Sequence, residues 1–321
     1  MQEFGAILHA ISILFAVGVT SLGVGLGGGI AAKGALNALN IAPQSGPEIL
    51  RAVIIGLALI ETGGILGVVM GLILLLGQSM NDPSLLYIGI SECGIAFALG
   101  LTGCMVGIYS ALPAWQASLS IARQPFFSTK VINIMLLTQS IIQTPVIFGF
   151  LIALFIKAQL TQVHDITHSL KLLASGLCLG IGSIGPIIGL ARFAQVAVES
   201  IGKNRDSYGK IMPFTFISQA IIETPIIFAF VIAIILLVSP VKTHDYSLYG
   251  IGFIAAALAI GIGTFGPGIS SGNIASAACK EIAIDPKNSS LLMKTSILGQ
   301  GIVDAAAIYA LLVSLLLLLL K

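Results

Sequence analysis

The sequence predicts an all-α membrane protein of eight transmembrane helices, arranged as four tandem helical hairpins. Three observations carry this: a composition too apolar for a soluble domain, a fourfold repeat, and a carboxylate in the middle of an apolar span in three of the four repeats.

Hydrophobic residues make up 57% of the 321 residues, charged residues only 9%, and the mean hydropathy is +1.06. A soluble domain carries roughly 25% charged residues, so the polar surface of a solvated globule is missing. Apolar runs of about 20 residues, enough to cross a bilayer, recur throughout. The net charge of +2 leaves no broad basic face for nucleic acid. Cys93, Cys104, Cys178 and Cys279 stand singly in apolar stretches, without metal-ligand spacing, and read as small buried hydrophobes. The chain opens Met1-Gln2-Glu3-Phe4, with no basic stretch, so the first apolar run is expected to be a retained helix.

The hairpins are placed at 1–82, 83–165, 166–243 and 244–321. Each has a glycine-rich apolar helix, a short polar loop and a second apolar helix. The second helices align on Leu59-Ile60-Glu61-Thr62, Ile141-Ile142-Gln143-Thr144, Ile221-Ile222-Glu223-Thr224 and Ile302-Val303-Asp304-Ala305. Positions 61, 143, 223 and 304 are spaced 82, 80 and 81 apart, a regularity that chance does not readily give. In the first hairpin, Gly23, Gly25, Gly27 and Gly29 crowd the first helix; the second is thinner, with Gly100, Gly103 and Gly107. The third has Gly176, Gly180, Gly182, Gly185 and Gly189, and the fourth Gly261, Gly263, Gly266, Gly268 and Gly272. In water each glycine would weaken a helix by ~1 kcal/mol. In lipid the backbone has no aqueous partner, so the helix survives and the bare backbone permits close packing. The first helices are therefore expected to form a tight inner circle and the bulkier second helices an outer one. Matches to a GxGxxG pattern, such as Gly180-Ile-Gly182-Ser-Ile-Gly185, recur inside these spans. They lack the strand and acidic partner of a dinucleotide site and are read as packing glycines.

Orientation follows from basic residues. The loops inside the hairpins and the adjoining helix ends hold eleven of the fifteen Lys and Arg, from Lys33 and Arg51 to Lys287 and Lys294. The other side holds Lys157, Lys171, Lys242 and Lys321. The hairpin loops are thus expected in the cytoplasm and both termini outside. His164, His168 and His244 fall in the outer connections and read as solvated.

Glu61, Glu223 and Asp304 are the informative residues. A central acidic residue costs roughly 2.5–3.5 kcal/mol on insertion scales and usually marks an ion or proton path. No Lys or Arg lies at comparable depth to neutralise them. Desolvation favours the neutral acid where it faces lipid. Such a group carries a proton through an apolar environment and releases it where water or a fixed cation stabilises the anion. Thr62 and Thr224 offer a hydroxyl beside the acid, or a bond back to their own helix. Pro225 has no N–H, which frees the carbonyl of Ile221 to accept the proton of the neutral acid, or simply kinks the helix. Tyr309 lies five residues after Asp304, beside the site or turned to the membrane interface. Gln143 cannot ionise, so the second hairpin is a lost site. Glu92 matches Ala10 in repeat register and reads as interfacial.

Taken with the Arg123-Gln124-Pro125 loop, these motifs resemble the proteolipid (c) subunit of rotary ATP synthases, essentially along the whole chain and four times over. Asp285-Pro286 and Ala42-Pro43 keep part of the loop, while Asn204-Arg205-Asp206 departs from it. The loop resembles the F-type more than the vacuolar-type proteolipid, which stays as the alternative. The resemblance implies a non-catalytic subunit, with ATP chemistry on partner subunits. It implies a ring of copies turning against a stator subunit whose arginine meets each carboxylate in turn. The loop Arg123, Gln124 and Pro125 would contact the central stalk. Glu61, Glu223 and Asp304 would be the ion-binding acids, with no cofactor. Four fused hairpins depart from the usual single or duplicated forms. Three acids per four hairpins would reduce the ions moved per turn by a quarter. In sodium-binding relatives a first-helix glutamine completes the cage; the matching positions here are Gly28, Ser110, Leu190 and Ser271, so protons are favoured over sodium. The rival readings are a secondary transporter of parallel repeats, which predicts discontinuous helices and one substrate pocket, and a structural scaffold, which leaves the acids unexplained.

Overall fold

The computed structural model describes residues 2–77, 85–240 and 246–319. Lys242, His244, Lys321 and the hairpin boundaries expected near 82 and 243 lie outside the described residues. Among the described residues, eight helices are long and apolar enough to cross a membrane. They are α1 (Glu3–Ile41), α2 (Pro43–Leu76), α3 (Leu86–Arg123), α4 (Pro125–Gln162), α5 (Ile166–Lys203), α6 (Arg205–Val238), α7 (Gly250–Ile284) and α8 (Pro286–Leu319). The chain is an integral, multi-pass membrane protein.

Each hairpin turns in the same way. Ala42, Gln124, Asn204 and Asp285 leave the helical region, with φ between −130° and −139°, and a single 3-10 turn then starts the second helix. Proline opens that turn at Pro43, Pro125 and Pro286, where its fixed φ and missing N–H suit a helix start. The third hairpin has Arg205 there, and Asn204 Oδ1 accepts from the Asp206 N–H at 3.0 Å, as Asp285 Oδ1 does from the Lys287 N–H in the fourth. The loop amides also reach sideways. Gln124 Nε2 donates to the Gly202 carbonyl at 3.0 Å, and Asn204 Nδ2 to the Ala283 carbonyl at 2.8 Å.

The first helices pack in chain order, α1 on α3, α3 on α5 and α5 on α7; α2, α4 and α6 each sit over their own first helix and the next, and α8 over its own. Glycine sets the spacing of the first row. A Cβ on Gly27 would overlap the Gly107 carbonyl oxygen, and one on Gly189 the Gly268 oxygen. These two pairs occupy the same repeat positions. Side chains separate the second helices instead, as where Phe148 of α4 stacks on Phe230 of α6 at 4.3 Å. A double layer whose one row is packed backbone to backbone curves toward that row. The hairpins therefore form an arc with the first helices inside, as the glycine pattern predicts. The GxGxxG matches all lie inside these helices. The ends of the arc are the least covered: few residues of α1 and α8 are buried, whereas most of those of α3 and α5 are.

Candidate functional site

The four key positions share one level. Glu61, Gln143, Glu223 and Asp304 each lie eighteen residues after the first residue of their helix, about 27 Å along its axis. Their surroundings differ.

Asp304 is only 8% exposed, and its Oδ1 accepts from Ser271 Oγ at 2.9 Å. Ser271 stands on α7 at the first-helix position matched to Gly28, Ser110 and Leu190, so the hairpin closes on its own acid. Tyr309 is exposed, 66% accessible, and the hydroxyl on the acid is the serine's. Glu223 is half-buried, with Thr144 of the preceding hairpin beside it. That neighbour comes from another repeat and was not legible from local sequence. Thr224 instead bonds back to the Ala220 carbonyl at 3.1 Å. Pro225 lies in an uninterrupted helix, Tyr208–Val238, with Ile221 half-buried one turn before it. Glu61 is exposed in an open groove between α1 and α2 lined by Ser21, Val24, Gly25, Gly64 and Ile65, and Thr62 is half-buried beside it.

Gln143 is buried, 4% exposed, and neither amide atom has a hydrogen-bond partner. The Ser110 hydroxyl, counterpart of Ser271, is also buried and unpaired. The second hairpin thus keeps the frame of the fourth without its bond.

Three residues given no role in the sequence stand one turn before the key positions. Gln139, Gln219 and Gln300 are fully buried. Their amides reach the preceding second helix, at the Gly56 carbonyl (3.4 Å), the Thr138 carbonyl (3.3 Å) and Ser218 Oγ (3.2 Å). Gln139 also donates to the Ser110 carbonyl at 2.8 Å. Their spacing of 80 and 81 was visible, but a buried amide and an exposed one look alike in a sequence. Leu57 fills the position in the first hairpin.

Glu92 requires correction. It is fully buried rather than interfacial, with Oε2 at 2.6 Å from Nδ1 of His9, itself 7% exposed. The partner comes from another hairpin, which single-helix reasoning does not see. Lys171, counted on the outer side, is buried, and its Nζ donates to the carbonyls of Leu237 and Ser239, where α6 ends. His168 is half-buried in the first turn of α5, while His164 is exposed. Cys178 and Cys279 are buried; Cys93 and Cys104 are half-buried. At the loop end, Arg123, Gln124 and Pro125 line a groove with Lys203, Asn204 and Asp206, beside a fully exposed Phe126.

The family profile for the C subunit of ATP synthase matches residues 11–74, 173–236 and 254–317, more than half of the chain. The second hairpin, with Gln143, lies outside the matched residues. The ATP synthase c subunit of Prochlorococcus marinus (strain AS9601) is 39% identical over 75 residues, 23% of this chain and 93% of that protein. The c subunit of the Dehalococcoides mccartyi (strain CBDB1) ATP synthase is 41% identical over 68 residues, 21% of this chain and 90% of that protein. A whole relative therefore matches about one hairpin, and this membrane protein of four such units belongs to the family of ATP synthase C subunits.

Proposed function

We propose that this chain is a rotor-ring subunit of an F-type rotary ATP synthase, carrying protons on Glu61, Glu223 and Asp304 past a stator arginine. The observation that carries this reading is the placement of three carboxyl groups at one level on the outer row of an arc of hairpins. An arc of repeats extends to a ring when further copies are added, and outer-row acids then face lipid and a stator in turn. Each acid takes a proton as it enters lipid and gives it up beside the stator cation. Gln143 passes the stator without exchanging an ion. Thr62, Thr224, Ile221 and Tyr309 stay as supporting residues by position, although Thr224 bonds its own helix and Tyr309 is exposed.

The absence of a first-helix glutamine at Gly28, Ser110, Leu190 and Ser271 favours protons over sodium. The bias of Lys and Arg supports cytoplasmic hairpin loops and termini on the opposite side. There Arg123, Gln124 and Pro125, with the exposed Phe126, would meet the central stalk. ATP chemistry belongs to partner subunits. Each charge that crosses 100 mV supplies about 2.3 kcal/mol, so three acids on four hairpins deliver three quarters of the work per turn of a fully acidic ring. The combined variant E61Q/E223Q/D304N is expected to assemble and to lose proton-driven ATP synthesis in reconstituted vesicles. Retention of coupling would overturn the reading.

A further inference from the structure

Helix α5 is covered on three sides, by α3 and α7 within the first row and by α4 and α6 of the second. Residues 185–191 and 193–194 are all buried, yet Arg192 between them is exposed. The one side of α5 left open is the concave one, so Arg192 faces the hollow of the arc. The sequence counted it among the helix ends and placed no cation at the depth of the acids. It lies twelve residues before Asn204, about 18 Å along the axis. It is also two residues from Leu190, the match of the Ser271 that bonds Asp304. Arg192 therefore stands close to the level of the acids, on the opposite face of the helix row. Among the described residues it pairs with no carboxylate: Glu199, the next acid toward the loop, is held by Lys203 at 2.7 Å. The matching positions in the other hairpins are Ile30, Leu112 and Asn273. Neither a neighbouring hairpin nor a further copy brings an acid to that position.

The concave face changes character at Arg192. Toward the loops it is polar, ending in a groove between α5 and α7 lined by Glu199, Lys203, Lys280 and Glu281. Away from the loops it is apolar, with half-buried Leu173, Leu177, Ile181 and Ile184 at helical spacing. On the convex side of the same hairpin the last charge before Glu223 is Lys210, six residues after Asn204, and Phe216 and Ile217 are already exposed. The polar zone thus reaches deeper inside the arc than outside it. An unpaired arginine at bilayer depth costs roughly 2.5–3.5 kcal/mol on insertion scales, so the hollow must offer it an anion or a polar medium. A planar guanidinium with an apolar wall below and a polar one above suits a lipid phosphate, which it grips through two parallel N–H bonds. Resting on the rotor reading above, we propose that Arg192 binds the phosphate of an anionic phospholipid inside the ring, one such lipid per chain. Asn273, exposed at the matching level of α7, is the neighbouring side chain with a donor for the same phosphate. A zwitterionic lipid brings its own ammonium to its phosphate, whereas an anionic one leaves a net charge for Arg192 to neutralise.

Native mass spectrometry of intact rings tests this, after equilibration in nanodiscs of mixed phosphatidylcholine and phosphatidylglycerol. The unmodified ring should keep about one phosphatidylglycerol per chain. R192Q should lower that count several-fold at unchanged ring mass, and K210Q, which removes a charge on the convex side, should leave it as it was. L112R sets a second arginine at the same level and should raise the count toward two per chain. Equal retention of the two lipids, or an unchanged count in R192Q, would overturn the lipid site while the ring and the rotor reading stand. Displacement of the retained lipid by inorganic phosphate would assign Arg192 to a free anion, and an acidic polypeptide found in its place would overturn the proposal as well. If the unmodified chain forms no ring, the rotor reading falls and the site with it. Should R192Q not assemble, the count in L112R decides, and no rise there sinks the proposal.

Discussion

Hairpins two and four share a backbone and differ in chemistry. Both turn through one 3-10 turn, both bury the key position, and both carry a buried serine at the matched first-helix position. In hairpin four Ser271 bonds Asp304 at 2.9 Å; in hairpin two Ser110 and Gln143 are buried and unpaired. The family profile follows the chemistry, matching hairpin four and passing over hairpin two. Glycine spacing and the glutamine bonds, not the acids, hold the arc together. An acid can therefore be lost from one hairpin without loss of the fold.

The strongest way to break this contrast is Q143E. It would give hairpin two an acid in a frame that already accepts one. The ions moved per ATP should rise by a third, from three acids per chain to four, measured as the proton-to-ATP ratio at static head. An unchanged ratio, with the new carboxyl group of Q143E labelled by carbodiimide, would show that the frame alone does not make a working site.

The glutamines rank next. Replacing all three by leucine removes buried bonds worth about 1 kcal/mol each, so Q139L/Q219L/Q300L should lower the denaturant midpoint of the ring well below that of any single variant. L57Q in hairpin one should give no comparable gain in chains dispersed from the ring, where none of the four hairpins precedes it. Equal stability of the triple variant would assign the arc to glycine packing alone.

Smaller effects separate the two serines. S271A leaves an oxygen of buried Asp304 without its donor, a loss of about 1–3 kcal/mol. S110A removes a hydroxyl that bonds nothing and should stay within about 0.5 kcal/mol of the unmodified chain. Unfolding titrations in mixed detergent read both, and equal losses would contradict the contrast. E92Q should loosen hairpins one and two at the His9 contact without altering the labelling of Glu223 or Asp304.

Much of this was legible in the sequence because lipid restricts the backbone to few solutions. The eight spans, the inner glycine row and the common level of Glu61, Gln143, Glu223 and Asp304 all follow from composition and period. What the sequence hid lies between hairpins. Glu92 looked interfacial because His9 sits eighty-three residues away. Lys171 was counted only as a charge on the outer side, because the carbonyls it caps belong to α6. Thr144 was given no role, yet it lies beside Glu223 of the next repeat. Repeat register shows which positions are equivalent; only packing shows which equivalent positions touch.

The most direct measurement is site-resolved carbodiimide labelling of the intact rotary complex, read by peptide mass, alongside proton conduction. The account predicts modification of Glu61, Glu223 and Asp304, none at Glu92, and conduction that falls as those three are occupied. Conduction that persists with all three modified would contradict it.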